Sequence, residues 1–132
     1  MSETPFRSPK KHGRVAVFLS GRGSNFKAIH LAIKDGQVDA ETSLVLSNKA
    51  DAPGLLYARE EGLPAVHLDP KAFPTREDYD AAAAAEVEKR GVDLICLAGY
   101  MKILTPGFCE RFAHRIMNIH PALLPAFPAL HV

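Results

Sequence analysis

Asn118-Ile119-His120-Pro121 sets a neutral amide and an imidazole on alternate residues at the end of an apolar run. Residues two apart on an extended backbone point to the same side. Asn118 can therefore donate a hydrogen bond to an oxyanion while His120 moves a proton at the same reacting carbon. Pro121, Pro125 and Pro128 stiffen the chain that leaves this pair. The other histidines lack such a setting: His12 stands near the start, and His30, His67, His114 and His131 have no evident partner.

Two more segments carry chemistry. Ser20-Gly21-Arg22-Gly23-Ser24-Asn25 runs from an apolar stretch into a helical pattern. Glycines there let backbone N–H groups approach a phosphate at a helix N-terminus. The dinucleotide fingerprint is not met, because Phe26 stands where its third glycine belongs and Ser47-Asn48-Lys49 replaces the ribose-binding acid. A single phosphate is the functional reading, and a plain tight turn the structural one. Ala98-Gly99-Tyr100-Met101-Lys102-Ile103-Leu104-Thr105-Pro106 strands apolar side chains in a loop. It suits either a slot for a flat heteroaromatic ligand or a hydrophobic loop packed on the next helix.

The elements that must position these residues follow from pattern. Val15–Leu19 is a nearly unbroken apolar run, as in a strand covered on both faces. A helix from about Asn25 carries Phe26, Ile29 and Ile33 on one side and stops at Gly36. Ser43–Leu46 predicts a second strand, and Asp51 the cap of a helix with Pro53 in its first turn and Gly62 as its stop. Ala65–Leu68 predicts a third strand. Thr75-Arg76-Glu77-Asp78 resembles a capping box, opening a helix that runs through five alanines to Arg90. Leu94–Ala98 and Arg115–Ile119 complete five strands. Strands alternating with helices predict an α/β fold, a Rossmann-like parallel sheet with helices on both faces. Ligands of such sheets bind beyond the carboxyl ends of the strands, where all three segments fall.

Bulk properties exclude several classes. The 132 residues amount to one domain, 47% apolar and 23% charged, with a net charge of +1. That charge gives no field for nucleic acid or an anionic membrane, and no apolar run approaches the roughly 20 residues that span a bilayer. Cys96 and Cys109 lack metal-like spacing and read as reduced thiols of a cytoplasmic protein. Residues 1–13 read as a disordered leader ahead of a domain covering 14–132.

Taken together, the Val15-to-Asn25 strand and loop, Leu46-Ser47-Asn48-Lys49-Ala50-Asp51, Arg76-Glu77-x-Tyr79-Asp80, Leu97-Ala98-Gly99-Tyr100-Met101 and Asn118-Ile119-His120-Pro121 resemble phosphoribosylglycinamide formyltransferase. The resemblance runs from Arg14 to His131. It implies formyl transfer from 10-formyltetrahydrofolate, as co-substrate, to the amine of glycinamide ribonucleotide in purine biosynthesis, without a metal. It further implies that Gly23, Ser24 and Asn25 hold the ribonucleotide phosphate. Arg76, Met101, Lys102, Ile103, Leu104 and Asn118 would line the folate site, with His120 as proton donor and Asn118 stabilising the tetrahedral intermediate's oxygen.

Related folate enzymes stay as alternatives. Methionyl-tRNA formyltransferase shares Asn-x-His-Pro, but the Gly-Ser-Asn loop and the lack of a basic tRNA-binding region argue against it. Formyltetrahydrofolate deformylase usually carries a regulatory domain ahead of the catalytic one. The sequence also departs from the resemblance: Ala122 and Ala129 replace a usual serine and glycine, and no acidic residue follows Glu110 to serve as the aspartate that raises the histidine pKa. The expectation is therefore a chain truncated before the family's C-terminal strands, weakly active, and prone to self-association through an edge bearing Leu123, Leu124, Phe127 and Leu130. A catalytically dead or partner-dependent fragment that binds only a ribonucleotide phosphate is the alternative.

Overall fold

A computed structural model of the chain describes residues 13–119. Five strands form one parallel sheet: β1 (Gly13–Leu19), β2 (Ala40–Ser47), β3 (Ala65–His67), β4 (Leu94–Leu97) and β5 (Ile116–Asn118), in the order β3-β2-β1-β4-β5. Four α-helices connect them: α1 (Ser24–Lys34), α2 (Pro53–Glu60), α3 (Arg76–Lys89) and α4 (Pro106–Arg111), with a short 3-10 turn at Pro70–Ala72. The α/β, Rossmann-like expectation holds. Among the described residues, no helix is long and apolar enough to cross a membrane.

Alternation along β1 divides the core in two. Val15, Val17 and Leu19 face one side with Phe26 of α1 and Leu55 and Ala58 of α2. Ala16 and Phe18 face the other, with Ala83, Ala84 and Val87 of α3 and Phe108 and Phe112 at α4. A strand covered on both faces must be apolar at every position, which is why β1 reads as a continuous run. Full burial of a side chain such as Phe18 contributes about 1.5–3 kcal/mol. Ala83 and Ala84, each 1% exposed, let α3 approach the sheet closely.

Several boundaries differ from expectation. β1 begins at Gly13, inside the expected leader; residues 1–12 lie outside the described residues. Asp51 does not cap α2: the N-cap is Ala52, with no side-chain hydrogen bond and Pro53 at the first turn. Proline has no N–H to satisfy and its fixed φ starts a helix, so a capping side chain is not needed. Thr75 does cap α3, its Oγ1 accepting from the Asp78 N–H at 3.0 Å. β2 spans eight residues, Ala40–Ser47, rather than the four from Ser43 to Leu46.

Strand order places the switch point between β1 and β4, whose crossovers leave in opposite directions. Loops leaving the carboxyl ends there diverge and open a crevice.

Candidate active site

The turn after β1 is built by close backbone packing. Gly23 has φ 73°, a left-handed conformation that L side chains rarely adopt, and its O accepts from the Lys27 N–H at 2.8 Å to start α1. A Cβ on Gly23 would lie 2.9 Å from the Cα of Gly54 at the start of α2, and Gly54 donates its N–H to Gly21 O at 3.0 Å. The loop is thus held against α2 by two facing glycines. α1 begins with no side-chain cap and no acid in its first turn, while Arg22 and Lys49 are exposed nearby in sequence and sheet order. Free N–H groups and the helix dipole favour an anion at such an end.

Asn25 has a further role at this end. Its side chain is 7% exposed, and Nδ2 donates to the Ile119 carbonyl at 3.3 Å. That bond ties the start of α1 to the residue immediately before His120. Asn118, the last residue of β5, is exposed beside it and pairs in register with Leu97 of β4. His120 lies outside the described residues, as do Ala122, Pro125, Ala129 and the rest of 120–132.

The segment after β4 divides its apolar side chains. Met101 and Ile103 are 77% and 73% exposed, whereas Leu104 and Tyr100 pack on the core face formed with α3 and α4. The Lys102 ammonium lies 4.5 Å from the centre of the Tyr79 ring. The loop is thus divided: one half packs on the core, and the other presents apolar groups at the sheet's carboxyl edge. Arg76 stands exposed as the first residue of α3, and its side chain makes no hydrogen bond or ion pair with another described residue.

Buried polar residues whose partners lie far off in the sequence hold this loop. Ser20 Oγ accepts from the Met101 N–H at 2.8 Å and donates to Asn48 Oδ1 at 2.6 Å. Asp80, 5% exposed, accepts from both the N–H and the hydroxyl of Thr105 at 2.8 and 2.7 Å. A serine at a strand end and an acid in the first turns of a helix carry no local sign of these partners, which are 81 and 25 residues away. Burial raises the pKa of the Tyr79 and Tyr100 hydroxyls, so both phenols stay neutral. Burial likewise pushes the Cys96 thiol up to about 11.

His30, expected to stand alone, has a partner. It is 6% exposed, with Nε2 3.0 Å from Glu61 Oε1, and its ring packs against Phe26 and Tyr57. Glu61 sits just beyond α2, so the pair clamps α1 to α2 behind the glycine turn that precedes α1. No group of three or more His, Cys, Asp or Glu suited to a metal occurs among the described residues. An open groove of about 470 Å³ lies between α3 and α4, meeting the loop cluster only at Asp80 and Thr105.

Comparison with known proteins matches residues 13–132 to the formyl transferase family. The chain is 44% identical over 117 residues to phosphoribosylglycinamide formyltransferase of Escherichia coli K12, covering 89% of this chain and 55% of that protein. It is 47% identical over 126 residues to the trifunctional purine biosynthetic protein adenosine-3 of Drosophila pseudoobscura pseudoobscura, covering 94% of this chain and 9% of that one. In structure it resembles glycinamide ribonucleotide transformylase 1 of Symbiobacterium toebii with a TM-score of 0.80 and 45% identity, over 88% of this chain and 55% of the other. The chain thus spans about half the length of these bacterial relatives.

Proposed function

We propose that this chain, which belongs to the formyl transferase family, transfers a formyl group from 10-formyltetrahydrofolate to the primary amine of glycinamide ribonucleotide. One observation carries the reading: the turn before α1, the Met101–Leu104 segment and Asn118 leave the carboxyl ends of β1, β4 and β5, three neighbouring strands. Strands lie about 4.8 Å apart, so the outer two of these ends are separated by roughly 10 Å. That spacing lets one nucleotide reach from a phosphate at α1 to a reacting amine near β5.

In this reading the N–H groups of Gly23, Ser24 and Asn25 hold the phosphate. Met101, Ile103, Leu104, Lys102, Arg76 and Asn118 border the folate. The amine lone pair attacks the formyl carbon and the carbonyl electrons move to oxygen. Asn118 donates a hydrogen bond to that oxyanion, a contribution of about 3 kcal/mol for such a donor. Collapse re-forms the carbonyl and breaks the bond to folate N10. N10 takes up a proton while the amine nitrogen loses one, and His120 carries it, worth about 10²–10⁴-fold in rate. Asn25 serves this step by holding the Ile119 carbonyl, one residue before the imidazole.

The test is a transfer assay followed by folate absorbance. Turnover with glycinamide ribonucleotide should fall about 10²-fold or more in Asn118→Ala and His120→Ala. Formate release without acceptor formylation would instead assign a deformylase, and turnover unaffected by both substitutions would refute the roles of Asn118 and His120.

A further inference from the structure

One hydroxyl joins the ends of three strands. Ser20, the first residue past β1, is 4% exposed; its Oγ donates to Asn48 Oδ1, just past β2, and accepts from the Met101 N–H, beyond β4. We propose that Ser20 is a positioning residue that sets the Met101–Leu104 segment relative to the phosphate loop, and that Asn48 acts through it. The inference rests on the functional reading above, which assigns folate to that segment.

A serine hydroxyl has one hydrogen and two acceptor lone pairs. Because Asn48 Oδ1 takes the hydrogen, the lone pairs are left for the Met101 N–H, and the rotor is fixed. At its far end the segment is pinned by Asp80 through Thr105. Met101 and Ile103, the most exposed large apolar residues described, therefore project from a stretch anchored at both ends by buried polar side chains. Ser20 is also bonded directly to Gly21, the first residue of the phosphate turn. A shift in one loop is transmitted to the other through a single side chain, so loss of this hydroxyl frees the folate loop at the end nearest the nucleotide.

The test uses the 132-residue chain with Ser20→Ala, Ser20→Thr and Asn48→Asp, the last two keeping a hydroxyl and an acceptor. Backbone amide exchange at Met101 is measured by NMR, and KM for 10-formyltetrahydrofolate and for glycinamide ribonucleotide by turnover. In Ser20→Ala, Met101 exchange should accelerate about tenfold while Cys96 within β4 keeps its protection. The folate KM should rise by about the same factor, with a much smaller change in the nucleotide KM, and Ser20→Thr and Asn48→Asp should restore both. Unchanged Met101 exchange in Ser20→Ala overturns the inference while leaving the functional reading intact. Equal rises in both KM values overturn it too, since a general loosening would produce them. A parent chain that does not use the folate at all contradicts the functional reading instead, and with it the folate half of this inference.

Discussion

Single side chains in this protein separate into those proposed to face the reaction and those that hold the loops in place, and the two sets differ in burial. Asn118, Arg76, Met101 and Ile103, the groups proposed to meet the substrates, are exposed. Ser20, Asn25, Asp80 and Thr105 are buried and spend their hydrogen bonds within the protein, on backbone and on neighbouring side chains. The clamp of His30 and Glu61 belongs to the second set and has a pH signature. The hydrogen bond from His30, followed by that from Lys34, holds the Glu61 carboxyl below its usual value of 4.5. A depressed folded-state pKa means that the stabilisation is complete above the unfolded value and is lost as pH falls through the folded one. Glu61→Gln should therefore be less stable than the parent near neutral pH, and the gap between their melting temperatures should close as the pH falls below the usual carboxylate value of 4.5. A gap that stays constant over that range would show that the charge of Glu61 contributes nothing.

At the scale of elements, the junction of α1 with α2 decides whether the glycine turn before α1 exists. Gly23 needs both its positive φ and the absence of a Cβ, which would sit 2.9 Å from the Gly54 Cα. Gly23→Ala should lower stability by on the order of 2 kcal/mol, read as a shift in the urea midpoint at constant slope. Gly21→Ala, where no atom lies within 4 Å of the added methyl, should change it by no more than about 0.5 kcal/mol. Equal effects at the two glycines would contradict the close-packing account.

The elements also differ in how legible they are in the sequence. β1, α1 and α3 are legible because their signals are local: an unbroken apolar run, a stripe at helical spacing and a threonine cap. Asp51 misleads at the start of α2 because a proline at the first turn makes a side-chain cap unnecessary. α4, six residues long, cannot be delimited by pattern, since so short a helix shows no period. At the site, the glycine turn, Met101 and Asn118 are visible as motifs. The partners of Ser20, Asp80 and His30 are not, because they are brought near only by the parallel crossovers.

For the molecule as a whole, the strand order β3-β2-β1-β4-β5 brings residues from Ser20 to Asn118 to one end of a single sheet. The chain spans 55% of its Escherichia coli relative, and the proposal that these residues catalyse formyl transfer applies to that span. The most direct measurement supplies 10-formyltetrahydrofolate carrying a ¹³C formyl group to the chain and glycinamide ribonucleotide, and follows the label by NMR. The ¹³C resonance should move from the folate to a new amide on the ribonucleotide, and should do so about 10²-fold or more slowly when His120 is replaced by alanine. Label that remains on the folate with the parent chain, folded and saturated with both substrates, would contradict the proposal.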